Sequence, residues 1–287
     1  MHPKIILNRM LHNPFFVIGL IAATIIILLT FIAPELTKYD PIMNSLTDRF
    51  LPPEYFANGL DGHVFGTDNL GRDIFSMLFY GARTSLYIAF FSAALCIIVG
   101  TVLGMVAGFY GRWVDTLVMR ACDVLVAFPT LVFGIVVLAL FGSSVFNLVL
   151  VIGLTTWMNI CKVIRNNVRV AAKMDYINAS RALGAKSGHI IFTQILPNVT
   201  TNIIVLGSQR ITYVILLQAN FAFLGLGILP PAPSWGHMIA SGRTYLTVYP
   251  WMAFVPGVAL MITAVAFNFL GDGLRDVLDP KRTVVNK

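Results

Sequence analysis

A helix needs about 17 to 25 predominantly apolar residues to cross the hydrocarbon layer of a membrane. This chain supplies runs of that kind at 15–33, 86–109, 123–141, 145–161, 203–229 and 251–270. With 57% hydrophobic residues, 11% charged residues and 21 Phe among 287, it carries more apolar surface than a soluble fold of this size could hide. The expected fold is an all-α membrane protein with about six transmembrane helices. The first run exceeds the roughly 7 to 15 residues of a signal-peptide core and no A-x-A site follows, so it is expected to stay as an anchor.

Orientation follows from Lys and Arg, which resist translocation when they lie in short loops. With the N-terminus inside, only Lys38, Arg49, Arg72, Arg83 and Arg243 fall outside and Arg210 within a span. The rest of the 20 Lys and Arg lie inside. Both termini are therefore expected to face the cytoplasm. The net charge of +7 then reflects topology and calls for neither nucleic acid nor an acidic substrate. Cys96, Cys122 and Cys161 fall in or beside spans, which suits packing residues and not a disulfide framework.

The expected order is a cytoplasmic amphipathic segment (1–14), the first span (15–33), an extracytoplasmic loop (34–85), a five-helix core (86–280) and a cytoplasmic tail (281–287). Pro41, Pro52, Pro53, Gly59, Gly62, Gly66 and Gly71 make the outer loop dense in turn formers. A second outer segment, 230–250, carries Pro230, Pro231, Pro233 and Trp235. Within the core, 162–202 is the large inner loop.

The most polar island among the apolar runs is 175–198, DYINASRALGAKSGHIIFTQILPN. Tyr176, Ala179, Ala182 and Leu183 fall at helical spacing with Arg181 on the polar side, and Gly184 stands where a helix stops. A second helix is expected from Ser187 to Pro197. Small residues at Ala179 and Ala182 permit close approach of another surface, while Arg181 and Lys186 offer charge for pairing. Physics alone reads this equally as a docking hairpin or as a surface-lying helical loop.

Gly100, Gly104 and Gly108 line one helix face and are expected to pack against a neighbouring helix. Pro129 and Pro256 interrupt spans and are expected to kink them, as static bends or as moving elements. Arg120 and Asp123 are spaced for an i,i+3 ion pair. Arg210 is placed to snorkel. Thr155, Thr156, Asn159, Gln209, Gln218 and Asn220 either face a translocation path or hydrogen-bond between helices. His63, and His237 with Met238, lack metal-ligand spacing, and no bound metal is expected.

No G-x-x-x-x-G-K-[ST] is present, so no phosphate cradle is expected here. An intramembrane protease would need paired Asp, a Ser/His couple or HExxH at membrane depth. Asp123 is alone, and no such His lies in a span. A secondary carrier would show internal repeats or midplane carboxylates, and neither is evident.

Several stretches resemble one known family. Residues 175–198 are similar to the EAA loop of ABC importer permeases, with Asn178-Ala179-Ser180 for E-A-A, Gly184 for its glycine and Ile195-Leu196-Pro197-Asn198 for its ending. FGTDNLGRD at 65–73 with GARTSL at 81–86, FLGLG at 223–227, PPAPSWG at 230–236 and GDGLRDVLDP at 271–280 resemble the dipeptide/oligopeptide/nickel branch, specifically its C-type membrane subunit. Departures are Asn178, Ser180, Gln194, Met77 and Gln218, where Glu, Ala, His, Arg and Glu are usual.

The resemblance implies a type I ABC importer permease fold in the inner membrane of a prokaryote. It implies a homologous permease subunit, two cytoplasmic ATP-binding subunits that hold ATP and Mg, and an extracytoplasmic solute-binding protein, with no cofactor in this chain. Coupling to the ATPases would fall to Asp175, Tyr176, Asn178, Ala179, Arg181, Ala182, Gly184 and Pro197. Thr155, Asn159, Arg210, Gln218 and Asn220 are candidates for the substrate path. Peptides are the first cargo implied, followed by nickel or metal chelates and other small solutes.

Overall fold

The computed structural model describes residues 3–54 and 62–278. The expected tail 281–287, the Asp279-Pro280 end of the last motif and Gly59 lie outside the described residues. All regular structure among those described is helical, apart from one isolated antiparallel bridge between Thr67 and Asp73. Four helices are long and apolar enough to cross a membrane, or up to six spans if each of two bent pairs counts as one.

Helix α1 (Pro3–His12) gives way at Asn13 to α2 (Pro14–Leu36), and the Asn13 side chain caps α2 by accepting from the Phe16 amide. The next helix, α3 (Ile74–Tyr110), begins well inside the segment expected to be loop, where the sequence had placed a span only from residue 86. Asp73 starts it: its Oδ2 accepts from the Ser76 amide and hydroxyl, both at 2.7 Å. Arg83 does not end it, because its Nε and Nη2 donate to the carbonyls of Thr30 and Phe31 on α2, each at 2.9 Å. Pro34 has no amide hydrogen to give Thr30's carbonyl, and Arg83 supplies the missing donor.

The expected third span is two helices, α4 (Arg112–Ala127) and α5 (Thr130–Phe141), bent by 83°. Phe128 takes an extended backbone because a residue preceding proline is driven from the helical region, so Pro129 breaks the chain here. The fourth span is likewise α6 (Val145–Thr156) and α7 (Met158–Ala171), bent by 42°. Thr155 and Thr156 donate back to the carbonyls of Val151 and Ile152 at 2.6 and 2.7 Å just before the bend, a bonding pattern that curves helices. Pro256, by contrast, lies inside α12 (Trp251–Leu278) without breaking it.

After α8 (Asp175–Ala182), the second helix of the polar island does not stop at Pro197. An α-helical turn, α9 (Ser187–His189), runs through a π-helical segment (Ile190–Ile195) into α10 (Leu196–Phe223), giving one element from Ser187 to Phe223. Pro197 sits in the first turn of α10, where a missing N–H is tolerated. The fifth span accordingly begins earlier and ends earlier than 203–229. Helix α11 (Trp235–Arg243) precedes α12. The expected Arg120–Asp123 pair is replaced by Lys162 Nζ on Asp123 Oδ1 at 3.0 Å. Both partners are well exposed, so this contact is worth only about 0–1 kcal/mol.

Lipid tails are as apolar as Leu, so helix association in a membrane rests on close packing and not on expulsion of water. Helix α3 is built accordingly, with small residues such as Ala89, Ala93, Gly100, Gly104 and Gly108 buried while Tyr87, Phe91, Ile98 and Val102 face outward. A Cβ on Gly100, Gly104 or Gly108 would lie 2.8, 2.8 or 2.6 Å from the carbonyl oxygens of Trp157, which caps α7, and of Cys161 and Arg165 on α7. The glycine stripe is thus a helix–helix seam. Gly273 does the same for α12 against α2, where a Cβ would lie 2.5 Å from the Phe16 backbone.

Replacing Gly104 by Leu should destabilise the purified protein by at least about 1–3 kcal/mol, read as a lower Tm in detergent. Gly257, with nothing within 4 Å of an added Cβ, should accept Ala with no loss. Equal Tm values for the two variants would remove the seam from the account.

Candidate functional site

Helix α8 is held to the body by few side chains. Ile177 is its single buried residue, 0% exposed, and lies in one apolar cluster with Ile164 and Val168 of α7 and Ile190, Ile195 and Val199 beyond the turn. Ser180 Oγ accepts from Gln194 Nε2 at 2.9 Å, and Tyr176 Oη accepts from Asn198 Nδ2. Asn198 Nδ2 also donates to the Gln194 carbonyl at 3.1 Å. The Arg181 guanidinium lies 5.0 Å from the ring centroid of Phe109, near the end of α3. The hairpin is thereby tied to α7, α10 and α3 at once.

The turn that closes α8 is a Schellman motif. Ala185 N donates to Ser180 O and Gly184 N to Arg181 O, each at 3.0 Å, with Gly184 at φ +83°. No atom lies within 4 Å of a Cβ added at Gly184, so the requirement is backbone handedness and not space.

The face away from the body is open. Asp175, Tyr176, Asn178, Ala179, Arg181, Ala182, Gly184 and Pro197 are all exposed, and Leu183 is 88% exposed. Of the residues singled out at helical spacing, Ala179, Ala182 and Leu183 lie open, while Tyr176 is exposed but hydrogen-bonded to Asn198. Ile177 and Phe109, which help to seat the hairpin, were not singled out from the sequence, and Ser180 was noted there only as a departure from the E-A-A pattern. Ile177 is the only aliphatic residue larger than alanine in α8, and that was the available signal.

The substrate-path candidates differ in burial and in partners. Thr155 is buried and bonded to its own helix. Asn159 and Asn220 are exposed, while Arg210 is half-buried with its guanidinium 5.0 Å from the Tyr213 ring centroid. Gln218 is buried and donates to Ser85 Oγ at 3.4 Å, and the same Ser85 oxygen accepts from Trp235 N at 3.2 Å. Gln218 therefore joins α10, α3 and α11.

The segment before α3 is a buried polar knot. Asp68 accepts from the amides of Leu70 and Arg72 at 2.8 and 2.9 Å and from Arg72 Nε at 2.8 Å. Asp73, besides capping α3, bonds His63 Nδ1 at 2.9 Å, and His63 stacks on Tyr39. Trp251 Nε1 and Trp235 Nε1 reach the carbonyls of Thr67 and Leu78 at 3.3 and 2.8 Å. Burial, reinforced by the nearby charge of Arg72, pushes the His237 imidazole below its ordinary pKa. Among the described residues, no group of three or more His, Cys, Asp or Glu is placed to hold a metal ion.

An Ile177→Ala variant should lose about 2–5 kcal/mol where the hairpin seats, read as faster protease cleavage between residues 172 and 190. Leu183→Ala should stay within about 0.5 kcal/mol of the parent protein. Equal protease resistance in both would mean that Ile177 does not anchor α8.

Comparison with known proteins extends this geometry. Residues 100–284 match the family described as binding-protein-dependent transport system inner membrane component, and residues 4–53 match the N-terminal TM domain of oligopeptide transport permease C. The dipeptide transport system permease protein DppC of Alkalihalophilus pseudofirmus is 39% identical over 269 residues, covering 94% of this chain and 86% of the relative. The oligopeptide transport system permease protein OppC of Bacillus subtilis is 36% identical, covering 95% and 88%. The glutathione transport system permease protein GsiD of Pectobacterium atrosepticum is 42% identical, covering 76% and 73%.

Among solved structures, a chain of the MetNI methionine ABC transporter in inward-facing conformations superposes with a TM-score of 0.57 at 17% identity, covering 70% of this chain and 96% of that one. At that identity the likeness concerns the fold, which is the type I ABC importer permease fold. This chain belongs to the binding-protein-dependent transport system inner membrane component family, whose members are multi-pass proteins of the prokaryotic inner membrane.

Proposed function

We propose that this chain is one of two membrane subunits of an ATP-driven importer of small peptides, and that the α8 hairpin is its contact with an ATP-binding subunit. The observation that carries the proposal is the contrast between the two faces of α8. One face is fastened by Ile177, Ser180 and Tyr176 to α7 and to the element that runs into α10, with Arg181 over Phe109 of α3, while the other presents Asp175, Asn178, Ala179 and Ala182 exposed. Ala179 and Ala182 let a partner approach the backbone closely, and the exposed Leu183 offers an apolar anchor of the kind that centres protein contacts.

In this reading both termini and the hairpin face the cytoplasm. Two ATP-binding subunits hold ATP and Mg, and a solute-binding protein delivers cargo to the outer segments. Closure of the ATP-binding subunits displaces α8, and the fastened face passes that displacement to α7, α10 and α3. The membrane helices then exchange between inward-open and outward-open packings. Peptides are favoured as cargo because the similar proteins are named for dipeptide, oligopeptide and glutathione transport, glutathione being itself a tripeptide.

The test uses the complete assembly in proteoliposomes with a labelled dipeptide. Gly184→Val puts a β-branched residue at φ +83°, a strain of about 1–3 kcal/mol that should unwind the turn closing α8. Uptake should fall at least tenfold while ATP hydrolysis persists, and Gly184→Asn, which tolerates this conformation, should retain most uptake. Wild-type uptake by the Val variant would remove the hairpin from the mechanism.

A further inference from the structure

We propose that the Asp115–Arg165 ion pair is a strut that makes the α4–α5 arm follow the α8 hairpin, and that uptake per ATP hydrolysed depends on it. The proposal rests on the reading of α8 as the ATPase contact.

Arg165 stands where three helices meet. Its carbonyl oxygen is pressed against Gly108 of α3, 2.6 Å from where a Cβ would be. Its side chain reaches the other way, to α4, with Nε donating to Asp115 Oδ1 at 2.7 Å and Nη2 to Oδ2. Two parallel bonds fix orientation as well as distance. The side chains are only 19% and 18% exposed, against 39% and 57% for Lys162 and Asp123, the other ion pair between these helices. Water and salt weaken the second pair far more than the first.

Apart from the strut, α4 is held by Cys122, its one fully buried residue, by Val118, Met119 and Leu125, which are partly buried against the apolar cluster, and by the exposed Lys162–Asp123 pair. Its link to α3 is the turn through Gly111 and Arg112, both at positive φ. On the other side, α7 passes into α8 through residues 172–174. That turn is closed by Lys173 N on Val170 O at 3.2 Å, Met174 N on Ala171 O at 3.0 Å and Ile177 N on Met174 O at 3.0 Å. A push on α8 therefore moves α7 with little slack.

Beyond α4 the chain bends by 83° into α5, so a small tilt of α4 becomes a swing of α5. An open apolar groove of about 410 Å³ runs beside the α5–α6 contact, lined by Phe133, Val137, Asn147 and Leu154 among others, and a swing of α5 would change its width. Without the strut, α7 would still move with the hairpin, but α4 and α5 would be left behind.

The experiment compares Asp115→Asn, Asp115→Glu and the exchange Asp115→Arg/Arg165→Asp in the complete assembly, measuring hydrolysis and peptide uptake on the same vesicles. Asp115→Asn should lower uptake per ATP about tenfold, within the 5- to 150-fold range of ordinary coupling energies, with hydrolysis and co-purification of the ATP-binding subunits retained. The longer carboxylate and the exchanged pair should each recover most of the ratio. An unchanged ratio in Asp115→Asn overturns the strut. So does a joint loss of uptake and hydrolysis that neither rescue variant repairs, which would mean a packing role. Absence of ATP-driven uptake by the wild-type assembly would overturn the reading of α8 itself.

Discussion

The backbone contact between α3 and α7 is the constraint on which the remaining structure depends. In water a pair of helices is driven together by apolar area, but in lipid that drive vanishes and close approach has to replace it. Gly100, Gly104 and Gly108 bring α3 within touching distance of the α7 carbonyls over more than two turns. Side chains from α7, notably Ile160, Ile164 and Val168, then fill the cluster on which Ile177 also seats. A helix that carries the hairpin is thereby joined along its length to the 37-residue α3.

That seam explains why the hairpin can be small. Eight residues of α8 have no independent stability, since isolated helices of that length do not persist in water. They persist here because one isoleucine, a serine hydroxyl and a tyrosine hydroxyl fasten them to elements already held together by the seam. The Schellman turn at Gly184 ends the helix without drawing any further side chain inward. The outer face is left open as a direct result. The same closure recurs at the far end of α10, where Leu226 N bonds Phe221 O at 2.9 Å around Gly225 at φ +80°.

The number and rough placement of the spans were legible because each needs a long apolar run, and nothing else in a 287-residue chain produces one. Their ends and breaks were less so. Three prolines illustrate why. Pro129 breaks its helix by 83°, Pro197 is absorbed into a first turn after a π-helical segment, and Pro256 is carried inside a continuous helix. Proline chemistry is the same in all three, so the outcome is decided by partners distant in sequence. Arg83 looked like the end of a loop for a similar reason, its ligands being carbonyls on another helix. In the hairpin, the polar, exposed character of α8 was legible from composition, whereas Ile177 was masked by the polar residues around it.

The charged signature before α3 looks at first like a place where cargo could be recognised. Its side chains are already committed, however. Asp68 holds Arg72 and two amides, Asp73 holds His63 and the start of α3, and Thr67 ties down the chain at Leu51 and Asp48. All four of Thr67, Asp68, Arg72 and Asp73 are buried. A carboxylate that accepts several bonds in the interior has no lone pair to spare for a ligand, and exposing it would leave Arg72 unpaired at a cost of several kcal/mol, roughly 3–5. The knot therefore serves to hold the start of α3, α11 and the start of α12 together through Trp235 and Trp251. Selectivity for cargo has to reside in less committed surfaces, on this chain or on whatever delivers the solute to it.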